Sequence, residues 1–188
     1  MKANRQVWYL VFMLGSAVLQ LPAQQSEADR KLLADVRAKA EKGEAQSQYE
    51  LGAALAKGSL GVAKDEVEAV KWFSKAAVQN NAFAQFNLGL RYHFGQGVAE
   101  DKGEAVKWYR KAAEQNDANG QYNLGLCYAK GQGVVKDYVE AYKWLSLASA
   151  QGNENAKAAK FSLAEQMTPE QIAKGARLVR DFKPSAVR

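Results

Sequence analysis

The residue types that carry most enzyme chemistry are scarce in this 188-residue chain. His93 is its one histidine and Cys127 its one cysteine. A zinc-protease helix needs two histidines, and a histidine-based triad needs a nucleophile and an acid placed around the ring. His93 stands at the end of a helical segment beside a glycine turn, where an exposed surface position is expected. Cys127 has no partner for an intramolecular disulfide, so it is expected to be a small buried apolar residue. Neither Ser-x-x-Lys nor Gly-x-Ser-x-Gly occurs. The Gly-x-Gly-Val turns follow helical segments and lack a third spaced glycine, so they do not form dinucleotide loops. Carboxylates are plentiful, but the recurrent ones sit at helix starts, where capping accounts for them. These residues point to no catalytic centre, no metal site and no cofactor.

The elements that position these residues recur along the chain. Trp72, Trp108 and Trp144 are spaced by 36 and lie in Ala69-Val70-Lys71-Trp72, Ala105-Val106-Lys107-Trp108 and Ala141-Tyr142-Lys143-Trp144. Upstream, Gln48-Tyr49, Gln85-Phe86 and Gln121-Tyr122 each precede a Leu-Gly pair: Leu51-Gly52, Leu88-Gly89 and Leu124-Gly125. Self-similarity at such a period marks a solenoid. The repeats run at 45–81, 82–117 and 118–153; the first is one residue longer, in the turn Gly58-Ser59-Leu60-Gly61.

Each repeat reads as two helices. In the middle one, Ala84, Leu88 and Tyr92 form one apolar stripe. Gly89 beside it lets a neighbouring helix approach, and Gly95 and Gly97 turn the chain. Asp101 and Glu104 have capping-box spacing, repeated by Asp65 with Glu68 and Asp137 with Glu140. Ala105, Trp108, Tyr109, Ala112 and Ala113 make the second apolar stripe, with the three tryptophans expected in the core. Leu32, Leu33, Val36 and Ala40 mark an opening cap helix within 24–44. Ala156, Ala159 and Leu163, then Ile172, Ala176, Val179 and Phe182 behind Thr168-Pro169-Glu170-Gln171, mark closing cap helices within 154–188.

The pattern Ala-x-x-x-Leu-Gly-x-x-Tyr-x-x-Gly-x-Gly-Val-x-x-Asp, then Ala-x-x-Trp-Tyr-x-Lys-Ala-Ala, resembles the Sel-one-like repeat (SLR) family of tetratricopeptide-like solenoids. Residues 82–117 match almost throughout. The first repeat departs at Ser47 and Leu55, the third at Gly120 and Ser149. The resemblance implies an all-α, right-handed α-solenoid of antiparallel helix pairs, three full repeats with helical caps, that acts by binding. Some cysteine-rich members are linked to β-lactams; the single cysteine here transfers that link poorly.

The N-terminus has a different character. Lys2 and Arg5 precede the apolar run Val7–Leu21, and Ala23 follows. This order predicts a signal peptide, 1–23, with export and a mature start near Gln24. The run is short for a membrane span of about 20 residues, so no membrane insertion is expected after its removal. The family resemblance adds a periplasmic or secreted setting. Without Lys2 and Arg5, the 26 basic residues fall to 24 against 20 acids, a net +4. These charges are spread over helices, not gathered in the stripe that nucleic-acid binding needs.

A solenoid binds on the concave side lined by its first helices. In the middle repeat the free stripe is Phe83, Phe86, Leu90 and His93. Its counterparts are Gln46, Tyr49, Ala53 and Ala56, and Asn119, Tyr122, Leu126 and Ala129. Tyr49, Phe86 and Tyr122 share one repeat position and suggest an aromatic ladder; Asn87 and Asn123 recur beside it. The expected function is an exported scaffold binding a protein or peptide there. Cell-wall glycan recognition is the alternative that the aromatics and export also fit.

Overall fold

A computed structural model describes residues 26–185; the proposed signal peptide and its cleavage site lie outside them. Nine helices and no strand occur among the described residues: α1 Glu27–Glu41, α2 Ala45–Lys57, α3 Glu66–Val78, α4 Ala82–Phe94, α5 Lys102–Glu114, α6 Ala118–Lys130, α7 Tyr138–Ala150, α8 Glu154–Ala164 and α9 Pro169–Asp181. The pairs α2–α3, α4–α5 and α6–α7 are hairpins, and each second helix also packs on the first helix of the next pair. This is an α-solenoid of antiparallel helix pairs. None of these helices is long and apolar enough to cross a membrane.

Capping residues start the second helices. Asp65, Asp101 and Asp137 accept from the backbone N–H of Glu68, Glu104 and Glu140. The expected return bond from the glutamate is replaced by other partners. Glu68 and Glu104 accept from Lys71 and Lys107 one turn on, and Glu140 accepts from the Trp144 indole N–H at 3.0 Å. Among the described residues, both halves of the box form only at α9, between Thr168 and Gln171. At the other end of the first helices, Gly58, Gly95 and Gly131 adopt left-handed φ of 64–68°, which costs glycine no Cβ clash.

The core differs from expectation in the first two repeats, where the tryptophan lies outside it. Phe73, Tyr109 and Leu145 are the large side chains that the second helices bury fully, facing the fully buried Leu51, Leu88 and Leu124 of the first helices. Trp72 and Trp108, expected in the core, are half-buried at its edge, with Lys75 and Lys111 ammonium groups 3.7 and 4.3 Å from the ring centroids. The first helix explains the choice. A Cβ on Gly52, Gly89 or Gly125 would stand 2.9, 2.6 or 2.8 Å from Phe73, Tyr109 or Leu145. The glycine is the socket, and the residue after the tryptophan is what fills it. Trp144 is buried because Phe182 lies edge-on against it, centroids 5.5 Å apart.

The glutamines that mark the repeats form a buried polar clamp. Gln85 donates to the Ala77 carbonyl of the preceding second helix and accepts from Gln115 at the end of its own. Gln121 does the same with Ala113 and Gln151, and Gln48 with Ala40 and Gln79. Each clamp ties three helices. Gln85→Ala is expected to cost about 1–3 kcal/mol, because it strands buried donors and acceptors. Chemical denaturation checks this; an unchanged midpoint would assign the clamp no energetic role.

At the ends, Val36 and Ala40 of α1 are buried, but Leu32 is 50% exposed. In α9, Ile172, Val179 and Phe182 are half-buried and Ala176 is exposed. That helix rests on α7 through Gly175, buried against the Tyr142 ring.

Candidate functional site

The candidate site is the solvent-facing side of the first helices around α4. Phe83 is 55% exposed at the start of α4, and its ring lies 5.8 Å from Tyr49 of α2. Three turns on, Phe94 is 61% exposed and meets His93 edge-on at 4.7 Å. Positions 83 and 94 lie eleven residues apart and so share one helix face. Phe94 escaped the sequence reading because it directly precedes the turn glycine; its spacing from Phe83 was the available signal.

The other predicted residues are less available. Tyr49 is half-buried, 6.1 Å from Phe73, and Phe86 is half-buried, 6.2 Å from Tyr109. Tyr122, Leu90 and Leu126 are half-buried against the core. Tyr49 stacks on the next repeat's Phe83, while the residue in the Phe83 position after it, Asn119, is exposed and polar. The aromatics therefore gather around α4, and no ring contact joins Tyr49, Phe86 and Tyr122 among the described residues. Asn87 and Asn123 donate to the carbonyls of Phe83 and Asn119 within their own helices, 2.8 and 3.0 Å away. They do not tie a helix to the following turn.

His93 is half-buried, contrary to the exposed position expected for it, and its Nδ1 is buried without a hydrogen-bond partner. Burial, helped by the Lys102 charge, holds its pKa below the ordinary 6.5. The imidazole is thus neutral at pH 7 and adds an uncharged polar edge to an apolar face. The unfolded chain binds this proton more readily than the folded one. Stability is therefore full above the unfolded value and is lost as pH falls through the lowered folded value. His93→Gln is expected to flatten the stability profile between pH 7 and pH 5, measured by denaturant midpoints. An identical profile in both proteins would remove His93 as the cause.

Cys127 is 1% exposed, and burial pushes its thiol up to about 11. It is a packing residue with little thiolate. On the opposite flank, a hollow of about 400 Å³ between α5 and α7 is lined by Arg110, Tyr128, Lys136, Lys143 and Trp144. Arg110 donates to the Tyr128 hydroxyl at 2.7 Å, and Lys143 lies 3.5 Å from Glu140. Two of its cations are thus already engaged. No group of three or more His, Cys, Asp or Glu residues placed to hold a metal occurs among the described residues.

Comparison with known proteins agrees with this architecture. The Sel1 repeat model matches residues 45–81, 82–117 and 118–153. The crystal structure of a Sel1 repeat protein from Oxalobacter formigenes is 38% identical and superposes with a TM-score of 0.64. That match covers 69% of this chain and 97% of the other. The structure of c5321, a protective antigen of uropathogenic Escherichia coli strains with an SLR fold, is 29% identical with a TM-score of 0.61. It covers 92% of this chain, which spans only 43% of that longer protein. A search of curated proteins finds no match. Sel1 repeat proteins are in general protein-interaction scaffolds without catalysis of their own. Three contiguous repeats cover more than half of this sequence, and the chain belongs to the Sel1 repeat family.

Proposed function

We propose that the protein is an exported interaction scaffold that takes a protein or peptide partner on the concave, first-helix face around α4. The carrying observation is the pair Phe83 and Phe94, exposed on one face of α4. Their repeat counterparts are polar: Gln46 and Lys57 in α2, Asn119 and Lys130 in α6. The aromatic exposure therefore belongs to one place in the array and is not a by-product of the repeat. Rigid aromatics bury large area at little rotamer cost, which suits an anchor. Half-buried Tyr49, Phe86, Leu90 and His93 would form its floor, with Tyr122 and Leu126 continuing it toward α6. Export rests on the N-terminal charge and apolar run, and N-terminal sequencing of the exported form should begin at or near Gln24.

The test is an affinity capture from the extracytoplasmic fraction of the native host, with the wild-type chain and Phe83→Ser/Phe94→Ser as baits. Both sites are exposed, so circular dichroism should show both baits folded. A protein enriched by the first and lost by the second supports the reading. Equal capture by both baits places the site elsewhere. Retention on cell-wall sacculi, with no protein captured, would replace a protein partner with a glycan.

A further inference from the structure

The three repeats hold ten lysines, and eight of them are already engaged. Lys64, Lys71, Lys102, Lys107 and Lys143 pair with glutamates beside them. Lys75, Lys111 and Lys136 stand over the rings of Trp72, Trp108 and Tyr138. The remaining two, Lys57 and Lys130, are exposed and have no carboxylate or ring partner among the described residues. They are not scattered. Lys57 ends α2 and Lys130 ends α6, at the repeat position that Phe94 holds in α4.

The surroundings leave these two cations without a counter-charge. Glu50 is the one carboxylate on the three first helices, and it accepts from Gln46 at 2.8 Å toward the start of α2. Glu100, beside the Gly95 turn, is held by Lys102 at 3.2 Å. On the second helices, by contrast, Lys71, Lys107 and Lys143 each have a glutamate three residues before them. The helix dipole favours a cation at a C-terminal end, but it leaves the ammonium N–H donors for another group. Behind burial and Lys102, the Lys130 charge also lowers the His93 pKa. It therefore reaches the ring that Phe94 meets edge-on. The exposed aromatic pair of α4 thus has a free positive charge on the repeat to either side.

We infer that the partner segment taken by this face is an acidic peptide, with an apolar anchor on Phe83 and Phe94 and carboxylates meeting Lys57 and Lys130. The inference rests on the face proposed above. The face is continuous from one repeat to the next, since the Tyr49 ring of α2 lies 5.8 Å from Phe83. A basic segment would set like charges against both lysines, and a neutral one would leave them unpaired. Opposite charge at an interface rim steers the encounter and selects partners more than it adds affinity. Two exposed pairs are together worth about three- to tenfold in binding. The rings supply the anchor, and the lysines decide which anchored segments are kept.

Selection from a displayed library of random peptides tests this, with the wild-type chain and its variants as baits. Wild type should enrich peptides that carry Asp or Glu beside an aromatic or aliphatic anchor. Lys57→Ala/Lys130→Ala should keep the anchor and lose the acids. Lys71→Ala/Lys107→Ala removes two exposed but paired lysines and should keep both. In fluorescence anisotropy, the leading peptide should bind wild type about three- to tenfold more tightly than its Asn/Gln form, and added salt should close that gap. Circular dichroism should be the same for all variants. Anchors enriched by wild type without acids, and by Phe83→Ser/Phe94→Ser not at all, would overturn the inference while the face stands. Acidic peptides held equally by Phe83→Ser/Phe94→Ser would overturn the face and the inference together. Loss of the acids with Lys71→Ala/Lys107→Ala would reduce the effect to overall positive charge and sink the inference. No enrichment by wild type would return the face to a ligand other than a peptide, such as a glycan, and would sink it as well.

Discussion

Alanine at position 97 or 133 is expected to unfold the middle of the array, whereas alanine at position 95 or 131 should leave it folded. All four glycines have left-handed φ, between 64° and 73°, and alanine there costs about 1–2 kcal/mol in backbone strain. The sites differ in what a methyl group would meet. At Gly95 the nearest atoms are 3.4 Å away, and at Gly131 one is 3.3 Å away at the Lys136 Cβ. At Gly97 a Cβ would stand 2.1 Å from the Glu66 carbonyl oxygen, and at Gly133 2.1 Å from that of Lys102. Those oxygens belong to the first residues of α3 and α5, one repeat earlier. The second turn glycine is therefore the point where one hairpin rests on its predecessor. Relief requires the repeats to part, which forfeits contacts on both sides. Overpacking of this kind adds about 1–3 kcal/mol or more. Thermal melts of Gly97→Ala and Gly95→Ala side by side check the claim, and equal melting temperatures would refute it.

Tyr109→Ala should destabilise the protein by about 3–5 kcal/mol, the range for emptying a buried aromatic site. Trp108→Ala, a larger truncation, should cost clearly less. Tyr109 is fully buried in the Gly89 socket, while Trp108 is half-buried under Lys111. The Tyr109 hydroxyl is buried without a hydrogen-bond partner, and burial raises its pKa. Tyr109→Phe is thus expected to hold or raise stability, by up to about 1 kcal/mol, since it deletes an unsatisfied polar group. The first hairpin already carries phenylalanine at this position. Urea denaturation of the three variants measures the order; a greater loss for Trp108→Ala would restore the tryptophan as the core residue.

Much of the fold was legible because its signals are local. The helix starts at Asp65, Asp101, Asp137 and Thr168, the turn glycines and the 36-residue period each depend on residues a few positions apart. Periodicity could not choose between Trp108 and Tyr109, since adjacent residues both border the apolar stripe. That choice belongs to the facing helix, through the missing Cβ of Gly89. The same limit applied at the candidate face. The sequence aligned Tyr49, Phe86 and Tyr122 by register, but burial depends on the neighbouring repeat, which covers those rings in part and leaves Phe83 and Phe94 outward.

By itself, then, the sequence determined the helices, their caps, their pairing and the family, because each follows from short-range spacing repeated three times. The tertiary structure alone decided which side chains fill the sockets, that His93 is half-buried, and that α9 packs on α7 and not on α8. Those outcomes turn on contacts between residues dozens of positions apart, where the volume at one position, such as the missing Cβ of Gly89 opposite Tyr109, sets what the facing helix can bury.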